Sequence, residues 1–278
     1  MRQHTLVSTY TFKGKGLHGG GMAEMTLLPA PEGSGIVFQR TDMGGALVEA
    51  LYGNVVRSDR STVLAKDGVE VGTTEHLLAA LSALGVDNAL IKVNSPELPV
   101  LDGSALPYVR AILADGLAEQ NASREYFVVT RHFEWTDEKS GSKIEVDPAG
   151  GPAYAVTTDF GSKVLGVQKA SWDAGVDFAT EIAPCRTFCF LHEIKPLLSM
   201  GLIKGGDLEN ALVIDEPNGY YNNAALRFEN ECARHKLLDL IGDFALLGKP
   251  LAGRVTAYKP GHRVNAGAVR ALANSSIR

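Results

Sequence analysis

A chain of 278 residues, 45% apolar and 21% charged, has the composition of a globular protein and enough length for two compact cores. Its formal net charge of −5, without a Lys/Arg cluster, argues against nucleic acid as a partner but leaves room for one anionic small molecule held by a few placed cations. No apolar run reaches the length of a membrane span, and the opening Met1-Arg2-Gln3-His4 does not read as a leader.

Taken in chain order, alternation over Leu6–Phe12 predicts a strand, followed by a glycine-rich loop, Gly14–Gly21. That loop lacks the Lys-Ser/Thr ending and the dinucleotide spacing of phosphate-binding loops, so its glycines read as a turn. A helix is expected from Thr73 to about Leu84. Thr73 or Thr74 would cap it, Leu77, Leu78, Leu81 and Leu84 form an apolar stripe, and Gly85 stops it. A strand at Ala89–Val93 leads to a proline-rich loop, Asn94–Gly103. Ser104 would then cap a second helix that turns Val109, Ile112 and Leu113 inward.

Gly116–Glu125 is polar and reads as irregular, so a boundary is expected there between domains 1–120 and 121–278. The second half is expected to carry strands at Tyr126–Val129 and Lys143–Val146. A helix from about Asn230 to Leu247 follows, then Gly248, a strand at Arg254–Tyr258 and the turn Pro260-Gly261-His262. Helix, glycine stop, strand and polar loop recur in both halves, which suggests two related α+β domains. Cys185, Cys189 and Cys232 form no C-x-x-C pair and read as free thiols.

His235, Asp239 and Asp243 are each four residues apart and share one helix face. Imidazole and carboxylate are good zinc ligands, although an ordinary polar face with a His–Asp pair has the same spacing. Glu75 and His76 are adjacent, so they point in different directions from a helix. One ligand beside one general base suits that geometry; a glutamate favoring the helix dipole and a surface histidine would also suit it. His262 in its turn, the Arg186-Thr187-Phe188 triplet and Lys236 complete the candidates, each with a plain structural alternative.

The segments Gly16-Leu17-His18, Thr74-Glu75-His76-Leu77-Leu78-Ala79-Ala80-Leu81 and Leu101-Asp102-Gly103-Ser104 resemble the UDP-3-O-acyl-N-acetylglucosamine deacetylases. So do Arg186-Thr187-Phe188, Leu226-Arg227-Phe228, Arg234-His235-Lys236-Leu237-Leu238-Asp239 with Gly242-Asp243, and Ala257-Tyr258-Lys259-Pro260-Gly261-His262. These blocks follow the family's order over nearly the whole chain. The resemblance implies an α+β fold of two similar two-layer α/β sandwich domains, each with a small insert, and an active site in the cleft between them. The second insert, about 190–213, would form an apolar passage for an acyl chain, with Leu191, Ile194 and Ile203 among its candidate walls.

The resemblance further implies one zinc ion (Zn2+, with Fe2+ as the alternative) held by His76, His235 and Asp239. Glu75 would be the general base, and His262 would stabilise the oxyanion and act as acid. Asp243 would orient His262, and Thr187 would donate a hydrogen bond to the oxyanion. Phe188 would pack on the sugar, Lys236 would meet the nucleotide phosphates, and His18 would line the nucleotide side. The implied reaction removes the N-acetyl group of UDP-3-O-(3-hydroxyacyl)-N-acetylglucosamine, releasing acetate in the committed step of lipid A (lipopolysaccharide) biosynthesis of Gram-negative bacteria. A cytoplasmic monomer, touching the inner membrane transiently, is the expected context.

Two other readings compete. One is a zinc amidohydrolase acting on a different N-acyl sugar or a peptide. The other is a binding module with structural zinc, which would call for four, Cys-rich ligands. Three positions also depart from expectation. Cys185 stands where the family often has a small residue, Cys189 lies one residue past Phe188, and Pro196 falls inside the insert, where it would bend or start a helix.

Overall fold

The computed structural model describes residues 1–275 apart from 217, 222 and 223. Six helices are used below: α1 (Glu75–Leu84), α2 (Leu106–Asp115), α3 (Phe178–Glu181), α4 (Leu191–Ser199), α5 (Glu231–Phe244) and α6 (His262–Ala273). The first main sheet runs, in spatial order, Tyr10–Lys15, Met22–Pro29, Ala89–Val93, Ile36–Arg40, Ala46–Glu49. The second runs Phe133–Asp137, Ser142–Pro148, Leu251–Tyr258, Pro152–Asp159, Val167–Asp173, with Phe127–Val128 alongside Leu251–Tyr258. Both sheets follow one plan: the strand that follows α1 in the first and α5 in the second inserts centrally and makes the parallel pairing, and the other main pairings are antiparallel. This is an α+β architecture, and the repeated helix–glycine–strand order seen in the sequence corresponds to a repeated topology.

Each sheet alternates buried apolar and exposed polar residues, so one face must be covered. Leu27, Phe38 and Ile91 of the first sheet share a buried cluster with Leu77, Leu81, Val109 and Ile112 of α1 and α2. Val146, Val156 and Val255 of the second share it with Leu237, Ile241, Val264 and Leu272 of α5 and α6. The cluster is continuous because α1 and α5 pack on each other. A β-carbon at Gly242 would fall 2.1 Å from the Glu75 carbonyl oxygen, so only glycine permits this approach.

Two smaller sheets extend from this frame. One, in the first half, comprises Val55–Arg57, Val63–Lys66 and Val69–Val71. The other is a β-α-β unit in which Phe188–Phe190 and Leu212–Asp215 pair in parallel, with α4 in the connection and Gly219–Tyr220 at the far edge. The second has its own small core, built on Leu165, Leu212, Ile214 and Cys232. Pro196 lies inside α4, and neither starts it nor ends it.

Four sequence expectations need correction. Leu6–Phe12 is not one strand: Arg2–Leu6 and Tyr10–Lys15 are separate and belong to different sheets. Gly116–Glu125 is not irregular, because Leu117–Ser123 pairs antiparallel with Arg2–Leu6, Leu6 opposite Leu117. Its composition is polar because this two-stranded ribbon leaves every second side chain in solvent. Leu113 is 53% exposed, while Tyr108, Val109 and Ile112 are buried. At about 100° per residue, Leu113 falls just outside the stripe centered on Ile112. Finally, neither Thr73 nor Thr74 caps α1 through its side chain. Their hydroxyls donate instead to Glu97 Oε1 (2.9 Å) and to the Thr62 carbonyl (3.3 Å), tying loops around the cleft.

Candidate metal centre and cleft

Helix α5 is apolar or buried around almost its whole circumference, which places it at the center of the molecule. Its i,i+4 pair, His235 and Asp239, faces the first turn of α1, which carries His76. One ligand atom from each lies within 4.8 Å of the others, and all three residues are buried. Asp239 Oδ1 sits 3.4 Å from His235 Nε2 and 3.6 Å from His76 Nε2. That oxygen is buried and has no hydrogen-bond partner, which is costly for a carboxylate unless a cation meets it. The other oxygen accepts from Lys236 Nζ at 2.7 Å.

The protonation pattern agrees. His235 Nδ1 lies 3.0 Å from the Cys185 carbonyl, an acceptor, so this nitrogen carries the proton and Nε2 presents its lone pair to the center. Burial, helped by the neighboring His235, pushes the His76 pKa down to about 3. Burial also lowers that of His235. Burial opposes ionisation of Asp239, but His235, Lys236, His262 and His76 outweigh it and hold the carboxyl below its ordinary range. Two neutral imidazoles and one carboxylate fit an open, catalytic zinc site, and they also suit iron(II).

Two more ionisable groups flank this set. Glu75 Oε2 accepts the Thr62 N–H at 3.0 Å, and its Oε1 lies 3.8 Å from His262 Nε2. Burial raises the Glu75 pKa to about 7, with Asp239 and Asp243 adding to the effect and His262 opposing it. His262, the first residue of α6, donates from Nδ1 to Asp243 Oδ2 at 2.9 Å. Burial would lower its pKa, but Asp243, Asp239 and Glu75 carry it up to about 9. Asp243 also accepts from Thr62 Oγ1 (2.5 Å) and Asn265 Nδ2 (2.8 Å). A buried carboxyl poised near neutrality beside an imidazolium is an arrangement suited to moving protons.

These groups floor a cleft of about 290 Å³. Thr187, Phe188, Lys236, His18 and Ile203 all line it, with Leu197. Leu191 and Ile194 do not; they sit half-buried on α4, outside the lining. Leu197, not either of them, is the residue α4 turns inward. The Lys236 ammonium stands 5.5 Å over the Phe188 ring. Burial works against its charge, but Asp239 raises its pKa. Both His18 ring nitrogens are buried without a partner, and burial pushes its pKa down. The Cys189 thiol also lines the cleft, pushed up to about 11 by burial and by Glu193.

Sequence reasoning missed Thr62, Asn265, Arg60 and Phe160. Phe160 and Arg60 line the cleft, and Thr62 and Asn265 hold Asp243. Nothing in Ser61-Thr62-Val63-Leu64 marks that threonine, which reads as the start of a strand. Asn265, three residues after His262, carries a helix-spacing signal that could have found it.

A larger cavity, about 390 Å³, lies elsewhere, along Gln3, Ile36, Leu81, Arg124 and Lys249. Its cations are paired, Arg124 with Asp87 at 2.8 Å and Lys249 with Glu125 at 2.5 Å. His132, Glu134 and the half-buried Glu145 form a group at the second sheet, but Lys143 already lies 2.9 and 3.0 Å from the two glutamates. Of these, the smaller cleft is the one that brings the His76–His235–Asp239 set together with Glu75 and His262.

The family model for UDP-3-O-acyl N-acetylglycosamine deacetylase matches residues 3–274. The chain is 43% identical to the UDP-3-O-acyl-N-acetylglucosamine deacetylase of Myxococcus xanthus, over 96% of this chain and 85% of that protein. It is 42% identical to the protein of the same name from Saccharophagus degradans, over 95% and 88%. It is also 44% identical to the bifunctional enzyme LpxC/FabZ of Bacteroides thetaiotaomicron over 95% of this chain, and spans 63% of that longer protein.

Proposed function

This chain belongs to the UDP-3-O-acyl N-acetylglycosamine deacetylase family, and from that premise we propose that it removes the N-acetyl group of UDP-3-O-(3-hydroxyacyl)-N-acetylglucosamine, with release of acetate, in lipid A biosynthesis. The observation that carries the reading is the unpartnered Asp239 Oδ1 between His76 and His235, with Glu75 and His262 beside it. His76, His235 and Asp239 would hold one Zn2+, with Fe2+ as the alternative metal. When bound, the metal supplies Lewis acidity to the acetamide carbonyl and acidity to a water.

The chain's own groups do the rest. Glu75, with Oε2 anchored by the Thr62 N–H, accepts the proton of the attacking water as the new C–O bond forms. The Thr187 hydroxyl and the His262 Nε2–H face the developing oxyanion. The C–N bond then breaks, and the leaving amine takes a proton from the Glu75/His262 pair. Asp243 keeps His262 oriented and charged. Phe188 offers a flat apolar face to the sugar, and the remaining Lys236 donors face the nucleotide phosphates. His18, with two unpaired ring nitrogens, serves the same side. Leu197 and Ile203 form the acyl-facing wall.

The same reading takes 1–120 and 121–278 as the two domains, supported by their matching strand order, with 276–278 outside the described residues. It also takes the protein to act as a cytoplasmic monomer that meets the inner membrane transiently. The test is acetate release from the acylated nucleotide sugar before chelation, after chelation, and after zinc or iron(II) add-back. Loss and metal-dependent recovery are expected. A folded, metal-loaded sample that releases no acetate would overturn the reading.

A further inference from the structure

We propose that Thr62 is a positioning residue that locks Glu75 and the Asp243–His262 pair into one geometry, so that the two proton-transfer groups of the deacetylation keep a fixed relation. The inference rests on the deacetylase reading above.

Thr62 is fully buried, and each of its polar groups is engaged. Its N–H donates to Glu75 Oε2 at 3.0 Å. Its hydroxyl donates to Asp243 Oδ1 at 2.5 Å. Its carbonyl accepts the Thr74 hydroxyl at 3.3 Å, just before α1 begins. Its Oγ1 also lies 3.4 Å from His262 Nδ1, so one residue of the first half touches the start of α1, the end of α5 and the start of α6.

The donor logic is strict. An ionised Asp243 can only accept, and at 1% exposure bulk solvent does not reach it to supply a missing donor. Its Oδ2 takes His262 Nδ1 and Asn265 Nδ2, while among the described residues Thr62 is the donor on Oδ1. Without that hydroxyl, Oδ1 would be a buried charged oxygen without a partner, and the carboxylate would turn to share the Oδ2 donors. His262 would turn with it. The Glu75 link differs in kind: it comes from the backbone and survives any side-chain change. Substituting the side chain thus cuts one link and leaves the other.

The test compares Thr62→Val, which keeps shape but removes the hydroxyl, with Thr62→Ser, which keeps the hydroxyl, both as metal-loaded full chains. T62V is expected to lower kcat about 10- to 100-fold, with KM and bound metal unchanged, while T62S stays close to wild type. In parallel, the downfield proton NMR signal of His262 Nδ1–H should be lost or broadened in T62V and retained in T62S. A wild-type kcat in T62V, or equal kcat losses in both variants, would overturn the proposal, the second by pointing to packing alone. If T62V does not fold, Thr62→Ala takes its place. If wild type itself releases no acetate, the deacetylase reading fails, and the NMR comparison still decides whether Thr62 positions His262.

Discussion

The floor of the cleft and the insert that walls it are built on opposite principles. Glu75, His76, His235, Asp239 and His262, with Asp243 behind His262, are all 8% exposed or less, six ionisable groups in one buried cluster. In the insert, Leu198, Met200 and Leu208 are 48%, 63% and 47% exposed. The insert is held to the first half by a few contacts. Lys204 and Gly205 N–H donate to the His18 and Leu17 carbonyls at 3.1 and 3.0 Å, and Arg60 pairs with Glu193 at 2.8 Å. Buried charges are stable only when each finds its partner, so the floor has a single workable geometry. An apolar wall tolerates substitution of similar volume. On the proposed reading, chemistry and acyl-chain preference can therefore vary separately.

The sharpest way to break this comparison is at the floor. Glu75→Ala should reduce kcat about 10²- to 10⁴-fold while the bound-metal content, measured by atomic spectroscopy, stays at one per chain. Loss of metal would make Glu75 a ligand or a prop. In the unsubstituted protein, kcat/KM should rise as Glu75 loses its proton through about pH 7 and fall as His262 loses its own through about pH 9. A profile flat across that window would separate these groups from the rate. Thr187→Ala should cost about 10²- to 10³-fold in kcat, the loss expected for one oxyanion donor, with KM little changed.

The wall should respond in KM instead. Ile203→Ala is expected to raise KM for the acylated substrate about tenfold and leave kcat alone. A substrate without the O-acyl chain should not register the change. Smallest of all, Arg60→Ala breaks an ion pair whose side chains are 47% and 25% exposed. It should cost about 0–1 kcal/mol, barely moving the melting temperature. A large drop would mean that the insert leans on this pair more than its exposure suggests.

How much of this was legible beforehand depends on the range of each signal. Leu77, Leu78 and Leu81 mark α1, and the four-residue spacing of His235 and Asp239 places two ligands on one face of α5, because helical periodicity is written in neighboring residues. The repeated order of helix, glycine and strand foreshadowed two sheets of one topology, and the block resemblance brought His76 and His262 to the same site. What the sequence by itself determined was thus local: the helices, the inward faces of α1 and α5, and the residue types able to hold a metal.

Tertiary structure decided the rest. Leu117–Ser123 becomes a strand only because Arg2–Leu6 lies beside it, a pairing that no alternation in its polar sequence signals. Thr73 and Thr74 give up capping because Glu97 and Thr62 compete for their hydroxyls. Leu197 faces the cleft where Leu191 and Ile194 looked equally apt, since the stripe of α4 is chosen by what packs against it. Thr62 looks like any strand residue until α5 and α6 arrive, because a hydrogen bond between distant segments leaves no periodic trace in either.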